Sequence, residues 1–152
     1  MARQPLHPDF EGRVRASFER QQLMATLGAV LTSIQPGEVR IQLPFREQFS
    51  QQHGFLHAGI ITAVVDSACG YAALTLMPPK AGVMSVEFKV NLLAPAAGPT
   101  FRAVGRVLRS GRTITVCAGE LWSTDEQIHD GGKLVAVMQA TMMAVSRPGI
   151  SD

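Results

Sequence analysis

Residues 57–76 read HAGIITAVVDSACGYAALTL, and the reading of this stretch decides the fold. With histidine neutral, Asp66 is its one charge; every other position is apolar, small or an uncharged polar group. The length suits a membrane span, but a carboxylate near the middle is costly in hydrocarbon. The long β-branched segments that follow also argue for a water-soluble protein. A helix apolar nearly all round has to be buried nearly all round. Its small residues, Ala58, Gly59, Ala63, Ala68, Gly70, Ala72 and Ala73, predict close approach to other backbone. Pro78 and Pro79 predict its end.

Working outward, residues 83–93, 100–108, 113–123 and 133–145 are long, β-branched and partly alternating, which predicts strands. Residues 94–99 (APAAGP), Ser110-Gly111 and Asp130-Gly131-Gly132 separate them. Such turn signals join antiparallel neighbours, so a four-strand meander is expected. Upstream, Phe10, Val14, Phe18 and Met24 are spaced for one face of a helix over 9–27. Residues 28–34 and 39–45 flank Gln35-Pro36-Gly37-Glu38 as a hairpin. Val39, Ile41 and Leu43 alternate with Arg40 and Gln42, so one face of that strand is wet. Residues 46–56 are polar around Gly54 and read as a loop, and those from Arg147 as a frayed tail. Trp122 and Met138 read as core. One long helix against a large antiparallel sheet is the α+β class. The chain divides into an N-terminal helical segment (1–27), a main domain (28–146) and a tail (147–152). A sheet curved around one helix leaves edges that dimerisation commonly covers.

The charges nearly balance, 14 Lys plus Arg against 12 Asp plus Glu, which excludes a strong general attraction to nucleic acid. Cys69 and Cys117 both lie in apolar segments and cannot make the disulfide framework of a small secreted domain. Buried thiols in a reducing compartment are expected instead. The first twenty residues carry charges throughout and no apolar core of a signal peptide, so the expected location is cytoplasmic. His53 and His57 are four apart, but Gly54 stands where a zinc-protease helix needs Glu, and no metal is expected. Residues 105–113 (GRVLRSGRT) have the wrong glycine spacing for a phosphate loop, with Arg112 in place of lysine, and read as a hairpin. No Gly-x-Ser-x-Gly elbow is present.

The chemistry centres on Asp66. A buried carboxylate is costly unless it is hydrogen-bonded, paired or set in a wet cleft. Nine residues upstream, His57-Ala58-Gly59 stands where the helix should begin. Free N–H groups at a helix start carry partial positive charge and can stabilise the oxyanion of acyl transfer. Ala58 and Gly59 are small enough to let a substrate approach them. A carboxylate about two turns further on could serve as general base or nucleophile toward a thioester, on the same or a partner subunit.

Residues 53–73, HGFLHAGIITAVVDSACGYAA, resemble the signature of hotdog-fold acyl-CoA thioesterases of the phenylacetate-pathway type. The resemblance continues through GVMSVEF (82–88) and Leu93-Ala94-Pro95, and spans about residues 28–146. It implies a hotdog fold, in which a curved antiparallel sheet of about six strands wraps the central helix. It implies Asp66 as base or nucleophile, and the Ala58 amide, in the turn with Gly59, as main oxyanion donor. His57 would help hold the thioester carbonyl, and Ser85 would orient water or substrate. Gln51 stands where the family has Asn and offers the same amide on a longer arm. Ala58 itself replaces a family glycine. The family shares each site across a homodimer and often pairs dimers into tetramers. Its substrate is an acyl-CoA, and no cofactor is implied beyond the coenzyme A that the substrate carries.

Arg106, Arg109 and Arg112, with Arg102, would bind coenzyme A phosphates if their hairpin lies at the cleft mouth; otherwise they are a solvated strand face. Phe55, Tyr71, Leu74 and Met77 either line an acyl pocket for a small aromatic or medium aliphatic group or serve as packing. Two other readings fit the same architecture, an acyl-thioester hydratase or dehydratase and a non-catalytic acyl-CoA-binding module.

Overall fold

The computed structural model describes residues 4–124 and 131–152. Asp130, the first residue of the expected 130–132 turn, lies outside them. Two helices, α1 (Phe10–Arg20) and α2 (Gln22–Leu27), lead into the hairpin strands β1 (Val30–Gln35) and β2 (Glu38–Pro44). The long helix α3 (Ala58–Leu74) follows, and then strands β3 (Gly82–Leu92), β4 (Thr100–Ser110), β5 (Ile114–Thr124) and β6 (Lys133–Val145). The six strands form one antiparallel sheet in the order β1-β2-β4-β5-β6-β3. This is the hotdog arrangement, with α3 packed against β2 through β6.

The β1–β2 turn places Pro36 and then Gly37, at φ 79°, in the two central positions, which suits a type II turn. Gly37 N–H donates to Thr75 Oγ1 at 2.7 Å and so ties the hairpin to the end of α3. The inward residues of β2, Val39, Ile41 and Leu43, are fully buried, as their alternation predicts.

The close approach expected of the small helix residues is found at one place above all. Gly105 on β4 and Gly119 on β5 are cross-strand partners under α3. A Cβ on Gly105 would lie 2.3 Å from the Ala68 carbonyl group and 2.5 Å from Cys69 N. A Cβ on Gly119 would lie 2.4 Å from Val65 Cγ1. The helix backbone therefore rests in a saddle with no side chain between it and β4. Cys69 and Cys117 are both buried and unbridged, as expected, with Cys117 Sγ 3.5 Å from Cys69 O.

Several expectations are corrected. The meander holds only for β4-β5-β6; β3 crosses to the far edge and pairs with β6 alone, so residues 94–99 do not join neighbours. The helix over 9–27 breaks at Gln21, whose extended backbone (φ −80°, ψ 98°) separates α1 from α2. Helix α3 stops at Leu74, before the prolines, where the Thr75 hydroxyl donates back to Ala72 O at 2.7 Å. It is enclosed in its second half only: Gly59 is exposed, and Thr62, Ala63, Asp66 and Ser67 are partly open. Met138 is core, but Trp122 is half-buried on the outer face, because Leu121 takes the inward position beside it. The last residues do not fray. Asp152 accepts from Ser17 Oγ at 2.6 Å and from Val83 N–H at 2.8 Å, and the buried Arg13 reaches its backbone oxygen at 3.0 Å.

Candidate active site

The segment before α3 is held by its own backbone. Gln51 N–H donates to Phe55 O at 2.8 Å, Gly54 N–H to Gln51 O at 2.9 Å, and His57 N–H to Phe49 O at 2.9 Å. The Gln51 side-chain oxygen accepts from the His53 amide, so this residue shapes the turn that carries it. His57 then caps α3: its Nδ1 accepts from Gly59 N–H at 2.8 Å. An accepting Nδ1 puts the proton of the neutral ring on Nε2, which leaves Nε2–H as the donor of the ring. The same bond engages the Gly59 amide. Ile60 and Ile61 donate to His57 O at 2.9 and 3.1 Å. The amide of Ala58, the first helical residue, is the donor of this turn left without an acceptor among the described residues. A largely apolar cleft of about 490 Å³ opens beside it, lined by Gln51, Phe55, Ile61, Leu92, Leu93 and Pro95 among others.

Asp66 lies two turns further on, on the uncovered side of α3. Ser85 Oγ, from β3, donates to its Oδ1 at 2.7 Å. Burial pushes the Asp66 carboxyl above the usual carboxylate range, and the Ser85 hydrogen bond pulls part of the way back. A bulge between Ser85 and Glu87 breaks the β3–β6 register just after Ser85. Asp66 borders a second cavity, of about 120 Å³, whose walls include Ser17, Gln21, Ser67, Gly70 and Tyr71. The eight residues from Ala58 to Asp66 span about 12 Å of helix, and one chain does not bring the two groups to one point.

The arginines do not gather at either cavity. Arg106 is committed to two carboxylates on the outer face of the sheet, Glu38 at 2.9 Å and Glu120 at 3.0 Å. Trp122 Nε1 shares Glu120 at 3.0 Å. In the protomer Arg106 thus belongs to an ion-pair network on the sheet surface. Arg109 and Arg112 are exposed at the β4–β5 hairpin, whose Ser110 lines a pocket with Leu76 beyond the C-terminal end of α3, opposite Ala58. Of the four residues weighed for an acyl pocket, Phe55 lines the apolar cleft and Tyr71 the polar cavity, while Leu74 and Met77 are packing.

Sequence reading missed Ser17, Gln21 and Asp152. Ser17 carried a signal, as a polar residue three after Val14 on the apolar face of α1. Gln21 carried none, because the helix break that aims it is not marked by proline or glycine.

A curved antiparallel sheet around one long helix defines the hotdog fold, and both the Ala58 amide and the Asp66 carboxylate lie on the helix face it leaves open. Comparison with known proteins agrees. The model of the thioesterase superfamily matches residues 53–128. The crystal structure of a thioesterase family protein from Silicibacter pomeroyi superposes with TM-score 0.86 at 45% identity, covering 91% of this chain and 99% of that one. The 1,4-dihydroxy-2-naphthoyl-CoA hydrolase of Listeria monocytogenes is 26% identical over 79% of this chain and 93% of its own length. The PaaI protein from the phenylacetic acid degradation operon of Escherichia coli shares the fold, with TM-score 0.80 at 19% identity over 96% of this chain and 98% of its own. The chain belongs to the thioesterase superfamily, and it is a thioester hydrolase. No described helix is long and apolar enough to cross a membrane.

Proposed function

We propose that this chain hydrolyses an acyl-CoA with a small aromatic or medium-chain acyl group, at a site completed by a second copy of itself. The observation that carries this is the separation of Ala58 from Asp66 along a helix face that the protomer leaves uncovered. Beside that face, β3 is an edge strand with Met84 48%, Val86 53% and Phe88 43% exposed. Apolar edges of this kind invite pairing, and a two-fold pairing presents the same patch from both subunits. Running the two α3 helices antiparallel across the axis sets Asp66 of one copy toward Ala58 of the other. The thioester carbonyl oxygen would then lie on the Ala58 N–H, with the His57 Nε2–H as a second donor. Asp66 would act as general base or nucleophile. The cleft at Phe55, Ile61 and Leu92 suits an apolar acyl group, and the naphthoyl-CoA activity named for the Listeria relative supports an aromatic one.

Free-thiol release from a panel of aryl- and alkyl-CoAs tests the reading. Turnover ranks the acyl groups. No turnover by a folded dimer would overturn it and leave acyl-thioester hydration or plain acyl-CoA binding to be assayed.

Two further results are expected. Val86→Lys puts a charge on the exposed edge and should yield a folded monomer by sedimentation, with most turnover lost. Retained activity in that monomer would refute the shared site. Ser85→Ala removes the hydrogen bond that favours the Asp66 carboxylate. The acid limb of the kcat/KM profile, where activity falls as Asp66 protonates, should therefore move to higher pH. A shift to lower pH would contradict the role given to Ser85.

A further inference from the structure

The cavity at Asp66 reaches past the aspartate into groups that the reaction so far leaves unused. The Gln21 side chain accepts from Ser67 Oγ at 3.0 Å and donates to the Tyr71 hydroxyl at 3.4 Å. Ser17 Oγ donates to Asp152 at 2.6 Å and lies 3.5 Å from the Tyr71 hydroxyl. A serine has one hydroxyl hydrogen, here committed to Asp152, and 3.5 Å is a poor hydrogen bond. Only the Tyr71 O–H can donate across that contact, and at 3.5 Å it is held weakly enough to turn to an occupant of the cavity. Asp66 Oδ2, unlike Oδ1, has no hydrogen-bond partner among the described residues.

Apart from Val83 and Gly70 these walls are hydroxyl, amide and carboxylate around about 120 Å³, room for several water molecules and a poor home for hydrocarbon. The space is held open by Gly70, one turn beyond Asp66, where a Cβ would meet nothing within 4 Å. The helix break at Gln21 is what turns its amide inward. The apolar cleft at Ala58, by contrast, is larger and suits the acyl group.

Building on the thioesterase reading, we propose that the polar cavity delivers the hydrolytic water to Asp66, with Gln21, Ser67 and Tyr71 as positioning residues. Asp66 Oδ2 accepts a proton from the held water while the water oxygen bonds to the thioester carbonyl carbon. The tetrahedral intermediate collapses by breaking the C–S bond. The coenzyme A sulfur takes the proton back from Asp66, releasing free acid and thiol and restoring the carboxylate.

The test uses an acyl-CoA that the native protein turns over and compares Tyr71→Phe, Gln21→Ala and Gly70→Ala. Each should lower kcat about tenfold with KM little changed, because the water and not the acyl group is misplaced. With hydroxylamine added as a competing nucleophile, the enzyme-dependent ratio of hydroxamate to free acid should rise in each variant. General structural damage lowers both products together and leaves that ratio alone. Gly70→Ala separates the effects further, since alanine in a helix interior should raise the melting temperature while the rate falls. An unchanged ratio would overturn the proposal, and so would a raised KM at constant kcat, which would make the cavity an acyl pocket. Absence of turnover by the native dimer would instead overturn the thioesterase reading, and this inference with it.

Discussion

Asp66→Asn is expected to lower kcat at least about a hundredfold, the size associated with losing a general base. Thermal stability at neutral pH should hold or rise. The amide matches the carboxylate in shape and can still accept from Ser85, so KM should change little. The stability arm follows from the raised carboxyl pKa, which is caused first by burial and partly offset by Ser85. A carboxyl raised in the fold binds its proton more tightly there than in the unfolded chain. Its favourable contribution is complete below the unfolded pKa and is lost as pH rises through the folded one. At neutral pH the native protein therefore carries the cost of an ionised, partly buried Asp66, which asparagine relieves. Thiol-release kinetics and melting curves at acid and neutral pH read both arms. Near-native turnover in the Asn variant would remove Asp66 from the mechanism. A variant less stable at neutral pH than at acid pH, relative to native, would reverse the sign argued here.

Gly105→Ala is expected to be among the most destabilising single-methyl changes in the chain, at about 3 kcal/mol or more. The added Cβ would stand 2.3 Å from the Ala68 carbonyl, which is backbone within α3 and cannot swing aside. Relief requires the helix to lift off β4, which loosens Val64, Val65, Ala68 and Cys69, all fully buried. Gly119→Ala on the paired strand is the control. Its Cβ meets the ends of two side chains, Val65 Cγ1 at 2.4 Å and Cys69 Sγ at 2.8 Å. Rotamer changes can absorb part of that contact, so a loss of roughly 1–2 kcal/mol is expected. Urea unfolding of the two variants decides the matter. Equal losses, or a larger one at Gly119, would show that α3 does not rest backbone-on-backbone at Gly105.

Thioester hydrolysis links these experiments. The Asn variant probes the carboxylate, Val86→Lys probes whether a second copy completes the site, and the Tyr71 and Gly70 variants probe where the water comes from. Because Arg106 is tied to Glu38 and Glu120, its removal should first be read as damage to the β2-β4-β5 surface.

Local properties of the chain were enough to place α3, the hairpin turn at Pro36-Gly37, the four later strands, and the nine-residue spacing of His57 and Asp66. Each depends on a window of a few to twenty residues, where periodicity, turn chemistry and helix-start composition act on neighbours. The close backbone contact of α3 was legible for the same reason, since a run of alanines and glycines has no other use for its smallness. What the tertiary structure alone decided depends on partners far apart in sequence. Strand β3 lies at the edge because β4 pairs with β2 and β6 offers the remaining open edge, a choice no local window records. That placement brings Ser85 to Asp66, and the neighbouring packing brings Gln21 and Asp152 to the same cavity. Arg106 is claimed by Glu38, 68 positions away, through the β2–β4 register. Sequence by itself determined the elements other than the break at Gln21, and the central carboxylate; long-range pairing determined which groups surround that carboxylate, because non-local contacts form only once the elements have packed.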